Sequence, residues 1–110
     1  MKKLVIPTDP RHAMEAISVG AGSCFECVLV GADPRYTDVC MTFGTTAYKV
    51  AAKAVPGGEW RVLAPDEYFP AENKTNYHVT AKNGDEDVYL GGGACFILPA
   101  IPEPEQPTPQ

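Results

Sequence analysis

The chain has 110 residues, 45% of them hydrophobic, with 9 basic against 14 acidic side chains and a formal charge of −5. That length supports one packed core and not two, and the apolar content argues against disorder throughout. Nucleic acid is not an expected partner, because the basic residues are scattered and only Lys2-Lys3 are adjacent. No apolar run is long enough to span a membrane.

The opening MKKLVIPTDP starts like a signal peptide, but Pro7, Asp9, Pro10 and Arg11 interrupt it before an apolar segment develops. Leu4–Ile6 reads instead as a first strand. The expectation is a chain made in the cytoplasm without a signal peptide, so Cys24, Cys27, Cys40 and Cys95 read as free, buried thiols. Ala16–Val19, Ser23–Val30, Asp38–Phe43, Ala47–Val55 and Trp60–Leu63 follow as strands, separated by turn-forming Gly, Pro and Asp clusters. Arg11–Ile17 holds good helix formers that Gly20 soon cuts off. Ala47–Ala54 has helical propensity too, but its Tyr48, Val50, Ala52, Ala54 alternation and short length favour strand. Pro65–Pro70 reads as a single helical turn or a 3-10 connector.

Tyr77, Val79 and Ala81 alternate with His78, Thr80 and Lys82 up to Asn83-Gly84, a strong hairpin signal. Strands are therefore expected at Asn76–Lys82, Asp87–Leu90 and Ala94–Leu98, with Gly91-Gly92-Gly93 as a bend or bulge between the last two. The expected fold is all-β: a single antiparallel β-sandwich of about seven to nine short strands over residues 1–98. Phe25, Leu29, Val39, Met41, Val50, Trp60, Val62, Tyr77, Val79, Val88, Leu90, Phe96 and Leu98 form its predicted core. Residues 99–110, with Pro99, Pro102, Pro104, Pro107 and Pro109, read as a Pro-rich extended tail, either a disordered end or an arm that docks on a neighbour.

Few residues point to catalysis. Cys24 and Cys27 form a C-x-x-C, the third and least supported functional reading, as a thiol or metal protein; on a strand, residues three apart face opposite sides. The two serines and two histidines fit no nucleophile motif, and His78 falls on an outward strand face. Asp85-Glu86-Asp87 reads as a charged turn, and the glycine triplet lacks the Lys-Ser/Thr of a phosphate loop. Asn73-Lys74-Thr75 matches a glycosylation sequon by chance. No enzyme and no cofactor are indicated. Tyr36, Tyr48, Trp60 and Tyr68 are the candidates for ligand or partner contact, with Trp60 read foremost as core.

The run LAPDEYFPAENKTNYHVTAKNG resembles the E-to-F region of immunoglobulin-like and fibronectin type III-like sandwiches. That resemblance implies a structural corner at Tyr77, its hydroxyl bonded back to the preceding turn. The inter-sheet Cys of antibody domains has no counterpart, since Val79 stands two residues after Tyr77. Gly58-Glu59-Trp60-Arg61-Val62, Tyr77-His78-Val79 and the stretch from Gly91 to Ile97 also resemble small immunoglobulin-like modules of phage and prophage tail and baseplate proteins. This implies a structural, virion-associated component whose partners are itself or other structural proteins, as a homo-oligomer. The alternative is a carbohydrate- or ligand-binding module that stacks its ligand on the tyrosines and Trp60.

Overall fold

The computed structural model describes residues 1–44 and 48–99, and nine strands are formed among them. The strands are β1 (Lys2–Val5), β2 (Ile17–Gly20), β3 (Phe25–Val30), β4 (Thr37–Phe43), β5 (Lys49–Ala51), β6 (Lys53–Val55), β7 (Glu59–Ala64), β8 (Asn73–Asn83) and β9 (Glu86–Leu98), with the 3-10 turn at Asp66–Tyr68. There is no α-helix among the described residues, and so no helix long and apolar enough to cross a membrane. One sheet runs β1-β3-β7-β6 and the other β2-β9-β8-β4-β5. Their inward side chains meet in one buried cluster, an all-β arrangement compatible with a β-sandwich.

Both sheets are mixed. β1 runs parallel to β3 and β2 parallel to β9, while the other pairs are antiparallel. The expectation of a wholly antiparallel fold fails at these two strands. The reason lies in the segment between them, which carries the chain from the edge of one sheet to the edge of the other. Arg11–Ile17 does not become a helix there. Asp9 accepts the Arg11 backbone N–H at 3.0 Å and also binds its guanidinium, while the Met14 N–H donates to Gly92 O at 2.8 Å. The Met14 donor, which a helix would direct to Pro10 O, is thus committed elsewhere, while the Asp9 bond would be compatible with a helix cap.

The β8–β9 hairpin is present, and residues 84 and 85 form its two-residue loop between the paired Asn83 and Glu86. Gly84, at φ 65, supplies the positive φ, and Asn83 is the last strand residue. The strands expected at Asp87–Leu90 and Ala94–Leu98 are one strand that continues through the glycines. Thr80 faces Tyr89 and Val79 faces Gly91, which leaves Leu90 as an extra, bulged residue. A bulge exchanges the two faces of everything beyond it. Cys95 and Ile97 therefore point into the core, whereas Phe96 is half-buried and Leu98 is exposed, against the expected packing of both.

The long strand expected at Ala47–Val55 is two strands, with Ala47 itself outside the described residues. Ala52 lies between them, and its N–H makes the last bond to β4, at 2.8 Å to Val39 O. On one side of Ala52 β5 pairs with β4, and on the other β6 pairs with β7. A strand that changes sheets in this way makes a corner.

Phe25, Leu29, Val39, Met41, Val62, Tyr77, Val79 and Leu90 are buried as expected, while Val50, Trp60 and Val88 are partly buried against the cluster. The expectation omitted Phe43 and Phe69. Their rings pack edge-to-face at 5.1 Å, and Phe25 meets Phe43 at 6.0 Å.

The glycine triplet is where another part of the chain approaches most closely. A Cβ on Gly93 would stand 2.6 Å from Met14 O and 3.1 Å from both Glu15 O and Tyr77 Cε1. Gly93→Ala should therefore cost about 1–3 kcal/mol, the usual penalty of overpacking. Gly20→Ala is the control, since its nearest neighbour is the Ser23 hydroxyl at 3.3 Å. Equilibrium urea unfolding should show a clear drop in midpoint for the first variant and little for the second.

Candidate functional site

The aromatic residues singled out from the sequence do not form one platform. Tyr68 lines a cleft of about 280 Å³ with Phe43, Tyr48, Pro70, Glu72 and Asn73. Tyr36 lines a separate depression of about 460 Å³ beside Pro7, Pro10, Asp33 and Tyr89. Trp60 belongs to a third, of about 480 Å³, with Asp38, Cys40, Lys49 and Lys82.

The Tyr68 cleft has the strongest local design. Phe43 ends β4, and the positive φ of Gly44 (74°) turns the chain away there. The 3-10 turn swings Tyr68 back toward the same place, and its hydroxyl donates to Lys49 O at 3.0 Å. The Tyr48 and Tyr68 rings lie 5.1 Å apart, tilted by 39°, with Phe43 6.4 Å from Tyr68. Asn73 Oδ1 accepts the Lys74 N–H at 2.8 Å, which leaves its amide NH2 as a donor at the rim. The result is an apolar floor fixed by packing, with polar groups at its edge, the usual character of a binding cleft.

Two Asp-Pro-Arg turns flank the Tyr36 depression. Asp9 and Asp33 each accept the backbone N–H of the arginine two residues on and pair with its guanidinium at 2.9 Å. The pairing holds both carboxyls below the usual carboxylate range. This three-residue recurrence escaped the sequence reading, although its identical wording was the available signal.

Beside Trp60, the chain bulges between Thr37 and Cys40, with Asp38 at φ 50. Asp tolerates that conformation better than most residues do. Trp60 is thus half core and half rim, a position the alternation of β7 did not distinguish.

Tyr77 is buried, and its hydroxyl donates to Glu15 O, in the segment that leads into β2. The partner is 62 residues upstream in sequence and not the turn before β8, as the resemblance implied. Burial raises the Tyr77 pKa, so the hydroxyl remains a proton donor well into alkaline pH.

Cys24 is exposed just before β3 and Cys27 is fully buried within it; Cys40 is intermediate and Cys95 buried, all as free thiols. The expectation that all four are buried is therefore corrected at Cys24 and Cys40. Among the described residues no three His, Cys, Asp or Glu side chains gather as metal ligands would. At the hairpin Asp87 pairs with Lys82 at 3.3 Å. His78 faces outward opposite Gly92, its ring 6.2 Å from that of Tyr89.

No family model matches the chain, and no curated protein is significantly similar to it.

Burial pushes the Cys27 thiol to about 12, with the Glu26 carboxylate adding to the effect, and the Cys95 thiol to about 11. Unfolded thiols ionise near 9.0, so above that pH the unfolded chain loses protons that the folded chain keeps. Stability should be complete below about pH 9 and fall as pH rises, by about 1.4 kcal/mol per unit for each thiol. Both contribute up to about pH 11, and Cys27 alone up to about 12. Urea unfolding as a function of pH should show this fall, and Cys95→Ala should remove its share of the slope between pH 9 and 11.

Proposed function

We propose that this chain is a non-enzymatic structural module that works through protein–protein association on an immunoglobulin-like sandwich, as a component of a phage or prophage tail or baseplate. The observation that supports the sandwich in this reading is the strand order. In chain order, β3-β7-β6 and β9-β8-β4-β5 correspond to strands B-E-D and G-F-C-C′ of an immunoglobulin domain. β1 then occupies the outer place beside B, and β2 lies beside the last strand. The departure is β1, which runs parallel to its neighbour. The three stretches that resemble the tail modules fall on β7 with the turn before it, on β8 and on β9.

Fold alone does not carry function, so the association reading rests on surface as well. Val5 and Leu63 are 66% and 53% exposed on the outer face of the first sheet, and Tyr89 and Leu98 are 51% and 49% exposed on the second. The outermost strands are three or four residues long, short enough to limit indiscriminate strand addition. Association through side chains on the faces is accordingly favoured over open-ended edge pairing.

The cleft at Tyr48 and Tyr68 favours a second reading, a carbohydrate-binding module with a tyrosine stacking surface beside Glu72 and Asn73. Light scattering on the full chain separates the two. The assembly reading predicts a concentration-dependent mass well above the 11.8 kDa of one chain. A monomer at every concentration, with tyrosine ring signals that shift on adding sugars, would favour the second reading instead.

A further inference from the structure

The C-terminal sequence carries two P-x-x-P spacings, Pro99 to Pro102 and Pro104 to Pro107. A polyproline II helix has three residues per turn, so prolines three apart share one face. Such a segment makes no internal hydrogen bonds and loses little conformational freedom when it binds. It is recognised by grooves lined with aromatic rings, with donors at the edge for its backbone carbonyls.

The Tyr48–Tyr68 cleft has that chemistry. Its floor is the tilted pair of tyrosines backed by Phe43, and it is fixed in place by the Tyr68 bond to Lys49 O. Asn73, which also lines the cleft, keeps its amide NH2 as a donor while its Oδ1 accepts the Lys74 N–H. Both rings are partly buried against the core cluster and line the cleft.

We propose that this cleft is a docking groove for the Pro-rich segment 99–110 of a second copy of the chain. The inference rests on the assembly reading above and adds a contact to the sheet faces named there. A second copy is favoured over the same chain because Ile97 itself lines the cleft, with only Leu98 between it and Pro99. To return into its own cleft the chain would have to reverse at once. The sequence Pro99-Ala100-Ile101-Pro102 has no Gly, Asn or Asp, the residues that favour a tight reversal, and a residue before proline is biased toward extended backbone. A polyproline II segment of twelve residues, at about 3.1 Å each, spans roughly 37 Å, enough to cross a neighbouring copy.

The test uses full-length protein and a synthetic peptide of residues 99–110. The peptide should shift the ring signals of Tyr48 and Tyr68 in NMR spectra of the labelled chain and lower the average mass in light scattering. A peptide with every proline replaced by alanine should do neither. Two variants address the groove from both sides: Tyr68→Ala, and the quadruple Pro102→Ala, Pro104→Ala, Pro107→Ala, Pro109→Ala, which alters no residue of the sheets. Each should weaken association by about tenfold or more, equivalent to about 1.4 kcal/mol. Association that the peptide and the quadruple variant leave unchanged would overturn this contact while leaving the assembly reading in place. A full chain that stays monomeric throughout would overturn both. Ring signals that respond to sugars but not to the peptide would assign the cleft to a carbohydrate.

Discussion

The segment that links β1 to β2 crosses the inner chain of the second sheet at Gly92 and Gly93, close enough that backbone meets backbone. Met14 N–H donates to Gly92 O, the Tyr77 hydroxyl donates to Glu15 O, and a side chain on Gly93 would collide with the carbonyl of Met14. Three separate parts of the sequence are needed for this one approach: the loop, the glycines of β9 and a tyrosine of β8. It delivers the chain from one sheet to the other and sets β2 alongside β9. A buried tyrosine hydroxyl without a partner would cost about 1–3 kcal/mol, so Tyr77 and Glu15 hold each other in place.

How legible was this in the sequence? The hairpin was, because Tyr77, Val79 and Ala81 share a face and Asn83-Gly84 marks the turn. The glycine triplet was legible as a bend or bulge but not in its consequence. One extra residue at Leu90 exchanges Phe96 and Leu98 for Cys95 and Ile97 in the core, and no periodicity rule can place a bulge to the residue. The parallel strands were hidden for a similar reason. Local patterning marks Leu4–Ile6 and Ala16–Val19 as strands, whereas the direction of their neighbours depends on where the crossing segment goes. Ala52 gave no signal at all, since the alternation of Val50, Ala52 and Ala54 continues smoothly across a strand that changes sheets.

The candidate site was legible only as a list of aromatic residues. Tyr36, Trp60 and Tyr68 were each found near an opening in the surface, but in three different places. What the sequence could not supply was the long-range contact that makes a cleft from Tyr48 and Tyr68, because it requires the end of β4 and the 3-10 turn to meet. The C-x-x-C shows the same logic in reverse. Three residues apart in sequence, Cys24 and Cys27 are divided by the surface of the protein, and the buried thiol is driven away from ionisation and hence from reactivity.

Amide hydrogen exchange at Met14 examines that crossing most directly. If the loop is fixed to β9 as described, the Met14 N–H should be protected as strongly as the amides of β8, although it belongs to no strand. Exchange at the rate of an open loop would contradict the account, since β2 would then owe its place to nothing but its own four residues.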